Sequence, residues 1–334
     1  MKTITTSATA LALILTGAAA SAETVLTISS WAGPNHSMNA VTFPYIISQL
    51  EECSGGDLTG KIEYGLAPPP AQYDTIRDGV ADLGWIVHGY TPGKFVTTKL
   101  AELPGIPGNA EQMSVAFHRT WVEHLEAAGE AKGVHIMAKF THGPGHFNTV
   151  EPLADGYASA SGMKVRVGGG VANMVGTALG VVGVNAPAPA VYETIASGVA
   201  EGVFFPFESL YSFKVAELTK HTYVNTDGMY TTSFGLVMNQ DTYDGLSDAN
   251  RQCVDDLSGE TLAGTIGSHW DDADTEGREK SVADYGLEVV EMDADHRAKF
   301  TEMTAGVQAT VLEEVNAAGV DAQAALDYLK SQIE

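Results

Sequence analysis

The chain has 334 residues, of which 42 are acidic and 18 are lysine or arginine, so its formal net charge is −24 at pH 7. A surface this acidic repels nucleic acid and anionic membranes, which argues against proteins that act by binding either of them. It does not favour anionic small molecules either, so a site for an anion has to be built locally against the overall field.

The N-terminus has the order of a secretory signal peptide: Lys2, an apolar run at 8–16, and small residues at 20–22. We expect cleavage before Glu23 and export to the periplasm. The alternative is a membrane anchor, but the apolar run is shorter than the roughly 20 residues that a spanning helix needs. The 312 residues that follow residue 22 predict two lobes, at roughly 150 residues per domain.

The first part of the exported chain alternates strand and helix patterns. Apolar and β-branched residues mark the strands, and glycine-rich or proline-rich breaks separate the elements. The predicted elements, in chain order, are a strand at 24–29, a helix at 38–53, a strand at 61–64, a helix at 72–79 and a strand at 82–87. This β-α-β-α-β order predicts a sheet with helices on both faces.

A second α/β unit follows. Its predicted elements are a helix at 111–129, strands at 134–140 and 164–167, a helix at 171–179, an edge strand at 183–185, a helix at 190–197 and a strand at 202–205. Helices dominate after Ser247, with one further strand at 287–292. Because no repeat, low-complexity tract or flexible linker separates the halves, we expect the lobes to be joined by strands that cross between them.

Arg166 stands out among the six arginines of the chain. It lies between Val165 and Val167 in a predicted strand that ends at glycines 168–170 and opens a helix, whereas the other arginines have acidic or polar neighbours. A guanidinium offers a planar, permanently charged pair of donors to a carboxylate, and N–H groups at a helix N-terminus also attract anions. We therefore predict that Arg166 binds a carboxylate. The alternative is an edge-strand arginine that points to solvent.

Motifs typical of enzymes are incomplete in this sequence. Glycines 168–170 do not form a dinucleotide motif, because Asn173 holds the place of its third glycine. His142 and His146 have the spacing of metal ligands on a helix, but Gly-Pro-Gly between them forbids that helix, which favours a polar loop lining the cleft. A Walker motif, a G-x-S-x-G elbow and a catalytic cysteine context are also absent from the sequence. The sequence therefore predicts a protein without catalytic, metal or cofactor sites.

The two cysteines of the chain are Cys53 and Cys253. Export places both in a compartment where disulfides persist, so we expect one bond between them. Two separately buried thiols are the alternative, because sequence spacing does not establish that the two residues are close.

Aromatic residues cluster where the predicted strands end, which is where ligands of α/β proteins bind. Residues of this kind otherwise belong to the core. From this cluster we predict the walls of a binding pocket at Trp31, Trp85, Phe147 and Phe205. The candidates for hydrogen bonds to a ligand are His36, His88, Tyr90, His146 and Asn185.

Several segments together resemble the solute-binding proteins of tripartite ATP-independent periplasmic (TRAP) transporters, of the dicarboxylate-binding (DctP) type. The most specific are GMKVRV at 162–167 and ALGVVGVNAPAPAVYETIASGVAEG at 178–202. They match the family's order of strand arginine, helix, proline-rich edge, second helix and glycine-ended turn. Further matches lie at 51–56, 76–82, 103–104 and 234–239, so the resemblance covers nearly the whole chain after the signal peptide.

The resemblance implies an α/β periplasmic-binding-protein fold, in which two lobes joined by crossing strands and a long lobe-spanning helix close over a ligand. We expect lobe I at residues 23–143 and 233–272, and lobe II at residues 144–232 and 273–334. By position, Arg166 would be the carboxylate-binding arginine of the family. The monomeric protein would need no cofactor and would deliver a small organic acid to the small and large subunits of an ion-gradient-driven membrane permease.

One departure from the family pattern concerns the ligand. Many relatives carry Gln-Glu-Asn after the glycine that corresponds to Gly202, where this chain has Val203, Phe204 and Phe205. Apolar surface replaces a polar contact, which disfavours hydroxylated sugar acids and favours a monocarboxylate with an apolar or aromatic body. The alternative functions are an ABC-type or chemoreceptor-associated binding protein, which neighbouring genes would distinguish, and a secreted hydrolase or lyase, which would convert its ligand.

Overall fold

The computed structural model of the protein describes residues 23–333, and the predicted signal peptide at 1–22 lies outside them. The strands are β1 Thr24–Ser30, β2 Leu58–Tyr64, β3 Leu83–Val87, β4 Val134–Thr141, β5 His146–Thr149, β6 Ala154–Tyr157, β7 Lys164–Val167, β8 Val182–Asn185, β9 Gly202–Phe205, β10 His221–Val224, β11 Ser233–Asn239 and β12 Glu288–Glu291. The helices are α1 Phe43–Ser54, α2 Gln72–Arg77, α3 Ala110–Thr120, α4 Gly170–Ala178, α5 Val191–Ala196, α6 Phe207–Ser212, α7 Gln240–Gly245, α8 Asp248–Leu257, α9 Glu260–Tyr285, α10 Ala294–Ala317 and α11 Ala322–Ser331. Among these described residues, no helix combines the length and apolar character that crossing a bilayer requires.

Most of the strands form two sheets. Sheet A has the order β2-β1-β3-β11-β4, and sheet B has the order β12-β10-β5-β9-β7-β8. In sheet A, β1 pairs in parallel with β2 and β3, as β-α-β units require, whereas β11 runs antiparallel to β3 and β4. Every residue of β3 and β11 is buried, which is typical of strands covered on both faces. The predicted α/β fold of two lobes is confirmed.

Two connections carry the chain between the sheets, and they lie side by side. β4 leads into β5 through residues 142–145, and β10 leads into β11 through residues 225–232. β4 and β11 are antiparallel neighbours in sheet A, as β5 and β10 are in sheet B. Between the sheets, the Gly145 N–H donates to the Tyr230 carbonyl oxygen at 2.9 Å. The predicted crossing strands are therefore this antiparallel pair.

The long helix α9 packs against helices of both lobes, and two glycines permit this close packing. A Cβ at Gly267 would lie 2.5 Å from the Ala110 carbonyl oxygen, at the start of α3. A Cβ at Gly277 would lie 2.6 Å from the Phe207 carbonyl oxygen, at the start of α6. Both distances are too short for a real side chain, so glycine is required where α9 meets these two helices.

Aspartates on α9 cap the same two helices. The Asp271 carboxylate accepts hydrogen bonds from the N–H groups of Ala110 and Glu111, at 2.7 and 3.0 Å. The Asp274 carboxylate accepts one from the N–H group of Glu208, at 2.7 Å. N–H groups at a helix N-terminus have no partner within the helix and favour such acceptors. The lobe-spanning helix is thus attached to lobe I through α3 and to lobe II through α6.

The predicted lobe boundaries fall near the connections between the sheets. The boundary at 143/144 lies within the first connection, that at 232/233 lies at the end of the second, and that at 272/273 lies within α9. The C-terminal helices contact both sides, because α10 packs against α4 of lobe II whereas α11 packs against α3 of lobe I. The assignment of 273–334 to lobe II remains a prediction, and both C-terminal helices also touch lobe I, since α10 packs against Thr97–Glu102 as well as α4.

The predicted helix at 111–129 is only partly α-helical. After α3 ends at Thr120, a π-helical turn spans Trp121–Leu125 and a 3-10 turn spans Glu126–Ala128. The Thr120 hydroxyl donates to the Ala116 carbonyl oxygen at 2.7 Å, and hydrogen bonds of this kind bend helices. The helical pattern of the sequence does not distinguish a 3-10 turn or a π-helical turn from a turn of α-helix.

Cys53 and Cys253 are joined by a disulfide, with their Cα atoms 5.7 Å apart. Cys53 lies near the end of α1 and Cys253 lies on α8, and these two helices pack against each other. The bond links two elements of lobe I that are 200 residues apart in the sequence.

Protein isolated from the periplasm should contain no reactive thiol under denaturing conditions until a reductant is added, because its two cysteines are paired. A thiol reagent should then count two thiols per chain after reduction. The Cys253→Ser variant is the control, since it leaves Cys53 unpaired and should give one thiol without reductant. Two reactive thiols in unreduced wild-type protein would contradict the pairing.

Candidate functional site

A cavity of about 30 Å³ lies between sheets A and B. Lobe I contributes residues at the ends of β1 and β3, and lobe II contributes residues from β7, β9 and α6. Six of the predicted ligand-binding residues line this cavity: Trp31, His36, Trp85, Tyr90, Arg166 and Phe205. The structure therefore brings residues that are far apart in the sequence to one enclosed space.

Arg166 is buried in the cavity wall, with 2% of its surface exposed. Its Nε donates to the Ala186 carbonyl oxygen at 2.8 Å, and its Nη1 donates to the Phe204 carbonyl oxygen at 3.3 Å. Its Nη2 donates to the Tyr90 hydroxyl at 3.1 Å, and its Cζ lies 4.6 Å from the centre of the Phe205 ring. A guanidinium has five N–H donors, so two remain. None of the residues 23–333 forms an ion pair with this cation, and all three of its hydrogen-bond partners are neutral.

The local sequence explains how Arg166 reaches the cavity. Successive side chains of a strand point to opposite faces, so Val165 and Val167 enter the lobe II core while Arg166 faces the other way. The chain then turns at Gly169, whose φ of 83° suits glycine. A Cβ at Gly168 would lie 3.5 Å from Arg166 Nη2, so the glycine leaves one side of the guanidinium without a covering side chain.

The start of α4 beside Arg166 is not free for a ligand, contrary to the anion trap that the sequence suggested. The Glu102 carboxylate accepts a hydrogen bond from the Val171 N–H at 2.9 Å. It also accepts bonds from the Ser233 N–H and hydroxyl, at 3.1 and 2.6 Å. Burial raises the pKa of Glu102, and these hydrogen bonds oppose that rise. This N–H group of the helix start therefore binds a carboxylate of the protein itself.

The Tyr90 hydroxyl adds a donor next to Arg166. It accepts two hydrogen bonds, one from Arg166 Nη2 and one from the Ala188 N–H at 2.9 Å. A hydroxyl group has two acceptor positions and one proton to donate. Because both acceptor positions are used, the proton of Tyr90 can be donated to an anion beside Arg166.

Two aromatic pairs supply apolar walls. Trp31 and Trp85 stack with their ring centroids 4.1 Å apart, and Phe205 and Phe213 stack at 5.9 Å. The indole N–H groups of the two tryptophans donate to the Trp85 carbonyl oxygen and the Ser30 hydroxyl. Since these polar atoms have partners within the protein, the rings offer carbon surface to a ligand.

His36 lines the cavity, but both of its ring nitrogens have partners. Nδ1 accepts a hydrogen bond from the Met38 N–H at 3.2 Å, so Nε2 carries the proton, and it lies 3.5 Å from Glu208 Oε2. Burial lowers the pKa of His36, and the neighbouring Glu208 opposes that effect. His36 is therefore a neutral part of the wall and does not provide the predicted hydrogen bond to a ligand.

Four of the predicted residues lie outside the cavity. Phe147 is fully buried in the lobe II core, with its ring centroid 5.0 Å from that of Phe204. His146 is also buried, and His88 and Asn185 line a neighbouring cleft. Position at a strand end identifies an edge of the sheet but not the face on which a side chain lies, so the sequence did not separate these four residues from those that line the cavity.

The cavity also contains residues that the sequence did not single out for the ligand. They come from the crossing segments, the end of α6, β11 and α9, and the main ones are His142, Phe213, Tyr230, Phe234 and Trp270. From the glycine-rich loop predicted to line the cleft, His142 reaches the cavity and His146 does not. Within residues 23–333, no group of three or more His, Cys, Asp or Glu side chains is placed to hold a metal ion.

The two lobes approach each other closely at glycines beside the cavity. Gly89 follows β3 in lobe I, whereas Gly169 and Gly170 follow β7 in lobe II. A Cβ on Gly89 would lie 3.0 Å from the Gly170 nitrogen and 3.3 Å from the Gly169 carbonyl carbon. Because these glycines have no side chains, the backbone after β3 can contact the backbone after β7. Tyr90, next to Gly89, then lies within hydrogen-bond distance of Arg166.

Comparison with known proteins places the chain among transport-related binding proteins. The sequence profile of DctP, bacterial extracellular solute-binding protein, family 7, matches residues 38–314. The chain is 33% identical to a TRAP periplasmic solute-binding protein from Bordetella bronchiseptica, whose crystal structure contains bound (R)-mandelate and (S)-mandelate. The comparison covers 93% of this chain and 98% of that chain, and its TM-score is 0.89. A marine metagenome TRAP solute-binding protein specific for aromatic acid ligands, in complex with 3-hydroxybenzoate, is 31% identical, with 94% and 98% covered and a TM-score of 0.88. A TRAP solute-binding protein from Rhodoferax ferrireducens in complex with copurified benzoate is 28% identical, with 93% and 97% covered and a TM-score of 0.88.

The Gly89→Val variant should bind its ligand roughly tenfold or more weakly, because the new side chain would collide with Gly169 and Gly170 and reduce the population of the closed state. Gly89 does not have a positive φ, so valine should not strain the backbone locally. Titration calorimetry with the acid that most raises the unfolding temperature of the wild type in a screen of organic acids measures the effect.

The Gly306→Ala variant is the control for this experiment, because its methyl group would meet nothing within 4 Å. It should bind like the wild type. An unchanged dissociation constant for Gly89→Val would show that the bound protein does not need this contact between the lobes.

Proposed function

The chain belongs to the bacterial extracellular solute-binding proteins of family 7 (DctP), and on that premise we propose that it captures an aromatic monocarboxylate for a TRAP permease. The carboxylate of the ligand lies against Arg166 and Tyr90. Its ring lies among Trp31, Trp85 and Phe205. The protein acts by binding and release, without chemical conversion of the ligand.

The observation that carries this proposal is the buried charge of Arg166, which has only neutral partners among the described residues. Taking a cation out of water costs free energy that hydrogen bonds to neutral groups recover only in part. A ligand carboxylate supplies the missing negative charge. Its two oxygens also match the paired N–H donors of a guanidinium.

The charge of the cavity supports a ligand with a single carboxylate. Arg166 is the one lysine or arginine in the described lining. The lining also contains His36 and His142, and burial lowers the pKa of both, that of His142 to about 4. Both histidines are therefore neutral at pH 7. A second carboxylate would be buried without a counter-charge, which disfavours dicarboxylates.

The walls of the cavity support an aromatic body for the ligand. Aromatic rings pack well against other rings, whereas the many hydroxyl groups of a sugar acid would face carbon surface without partners. The three similar binding proteins were crystallised with mandelate, 3-hydroxybenzoate or benzoate, each of which combines one carboxylate with one aromatic ring. Their ligands support the same chemical class for this chain.

The transport role follows from closure of the lobes. A ligand that contacts both lobes favours the closed state by the difference between its affinities for the closed and open states. We propose that the exported protein, cleaved before Glu23, carries its ligand through the periplasm as a monomer. The small and large subunits of the membrane permease then receive the ligand.

The protein should return its ligand chemically unchanged, because the proposed function is binding and release alone. Prolonged incubation with benzoate, mandelate or 3-hydroxybenzoate, followed by denaturation and chromatography, should recover only the acid that was added. A new product that forms in proportion to protein concentration would refute a pure binding function.

Arg166→Ala should weaken binding of the best aromatic acid by about two orders of magnitude or more, because charge-assisted hydrogen bonds contribute roughly 1.5–3 kcal/mol each. Arg166→Lys should weaken it less, since lysine keeps the charge but loses the planar pair of donors. Titration calorimetry with the aromatic acids named above measures both effects, and circular dichroism checks that the fold is intact.

Arg77→Ala is the matched control, because Arg77 lies on the exposed side of α2 and pairs with Asp74 and Asp78 outside the cavity. This variant should bind like the wild type. If Arg166→Ala binds an aromatic acid as tightly as the wild type, the assignment of the carboxylate to Arg166 is wrong.

A further inference from the structure

Two ring nitrogens in the cavity wall have no hydrogen-bond partner among residues 23–333. One is Nε2 of His142, in the connection from β4 to β5, and the other is Nε1 of Trp270, on α9. Both residues line the cavity and are buried, with 4% and 1% of their surface exposed. Their ring centroids are 5.9 Å apart. Buried polar groups almost always have partners, so the fully buried Nε1 of Trp270, in the same wall as the unpaired Nε2 of His142, indicates that a ligand group belongs there.

The proton of His142 can be placed from its other ring nitrogen. Nδ1 is hydrogen-bonded to the Gly143 carbonyl oxygen, and a carbonyl oxygen can only accept, so Nδ1 carries a proton. Burial lowers the pKa of His142 to about 4, so the ring is neutral at pH 7 and carries no second proton. Nε2 is therefore an acceptor that requires an O–H or N–H donor.

Trp270 has the opposite requirement. Its indole Nε1–H is a donor only, and it is buried without an acceptor. The ring packs edge-on against His36, with centroids 5.2 Å apart, and stacks on Phe234 at 5.8 Å, which holds its orientation. The same cavity wall thus presents one unmatched acceptor and one unmatched donor.

A hydroxyl group meets both requirements, because it donates one hydrogen bond and accepts others. We infer that the ligand carries a hydroxyl group on its aromatic ring, which donates to His142 Nε2 and accepts from Trp270 Nε1. This inference rests on the proposed function and specifies the substrate class of the same site as hydroxylated aromatic monocarboxylates.

The hydroxyl and the carboxylate of the ligand would contact different lobes. His142 and Trp270 pack against Phe234, in β11 of sheet A, with ring centroids 5.8 Å from it in both cases. Arg166 instead bonds to the main chain of lobe II, at Ala186 and Phe204. The ligand therefore contacts lobe II with its carboxylate and lobe I with its hydroxyl.

Titration calorimetry of the wild type with matched acids tests the inference. The pairs are benzoate against 3- and 4-hydroxybenzoate, and phenylacetate against its 3- and 4-hydroxy derivatives. At least one hydroxylated acid should bind roughly tenfold or more tightly than its parent, because the parent leaves a buried donor and a buried acceptor unpaired. Equal affinity for every parent and its hydroxylated derivatives would overturn the inference and leave the proposed function standing.

Two variants assign the preference to the two residues. Trp270→Phe removes the N–H group, and His142→Asn keeps an amide donor near the Gly143 carbonyl oxygen while it removes Nε2. Each should reduce the preference for the hydroxylated acid to about threefold or less, with a much smaller change for the parent acid. Equal losses for both acids would indicate a packing effect and would overturn the inference.

Trp121→Phe and His124→Asn are the controls, because both residues lie outside the cavity on the turn after α3. They should keep the preference of the wild type. If one of the cavity variants fails to fold, the other variant and the wild-type comparison still decide the question. If the wild type binds no aromatic acid, the proposed function and this inference fail together.

Discussion

The buried charge of Arg166 is the interaction on which the rest of the site depends. Two main-chain carbonyl groups and the Tyr90 hydroxyl hold its guanidinium, and the ring of Phe205 packs against it, so that its unused donors keep one orientation. None of these partners neutralises the charge. The free energy lost when a cation leaves water is only partly recovered in the empty site, and an anion recovers more of it. The aromatic walls and the neutral histidines then limit the anion to one carboxylate on an apolar body.

The electrostatic field of the whole protein acts against its ligand, and the site has to overcome this by direct contact. The net charge of −24 repels an anion at a distance, although salt at physiological strength screens this repulsion beyond about 8 Å. Inside the cavity, water no longer competes and hydrogen bonds to a charge are stronger. Selectivity would therefore depend on short-range donors and acceptors, and we propose that Arg166, Tyr90, His142 and Trp270 supply them.

Binding is coupled to closure because neither lobe contains a complete site. Arg166 belongs to lobe II, whereas Tyr90 and the stacked pair of Trp31 and Trp85 belong to lobe I. The hydrogen-bonded crossing strands and α9 keep the lobes together, and Gly89 allows their backbones to touch beside the cavity. A ligand that joins the two half-sites stabilises the closed arrangement, and only this arrangement offers all the contacts at once.

The sequence by itself determined much of the fold and predicted the arginine at the centre of the proposed site. Alternating strand and helix patterns predicted the β-α-β units, and an arginine between two valines before a glycine run identified Arg166, because both signals are local. The sequence did not predict that β5, β6, β10 and β11 are strands, nor which face of a strand Phe147 and His146 occupy. Only the tertiary structure brought His142 and Trp270 into one wall and put Glu102 at the start of α4. These contacts join segments that are distant in the sequence, and packing between lobes decides them rather than any local preference.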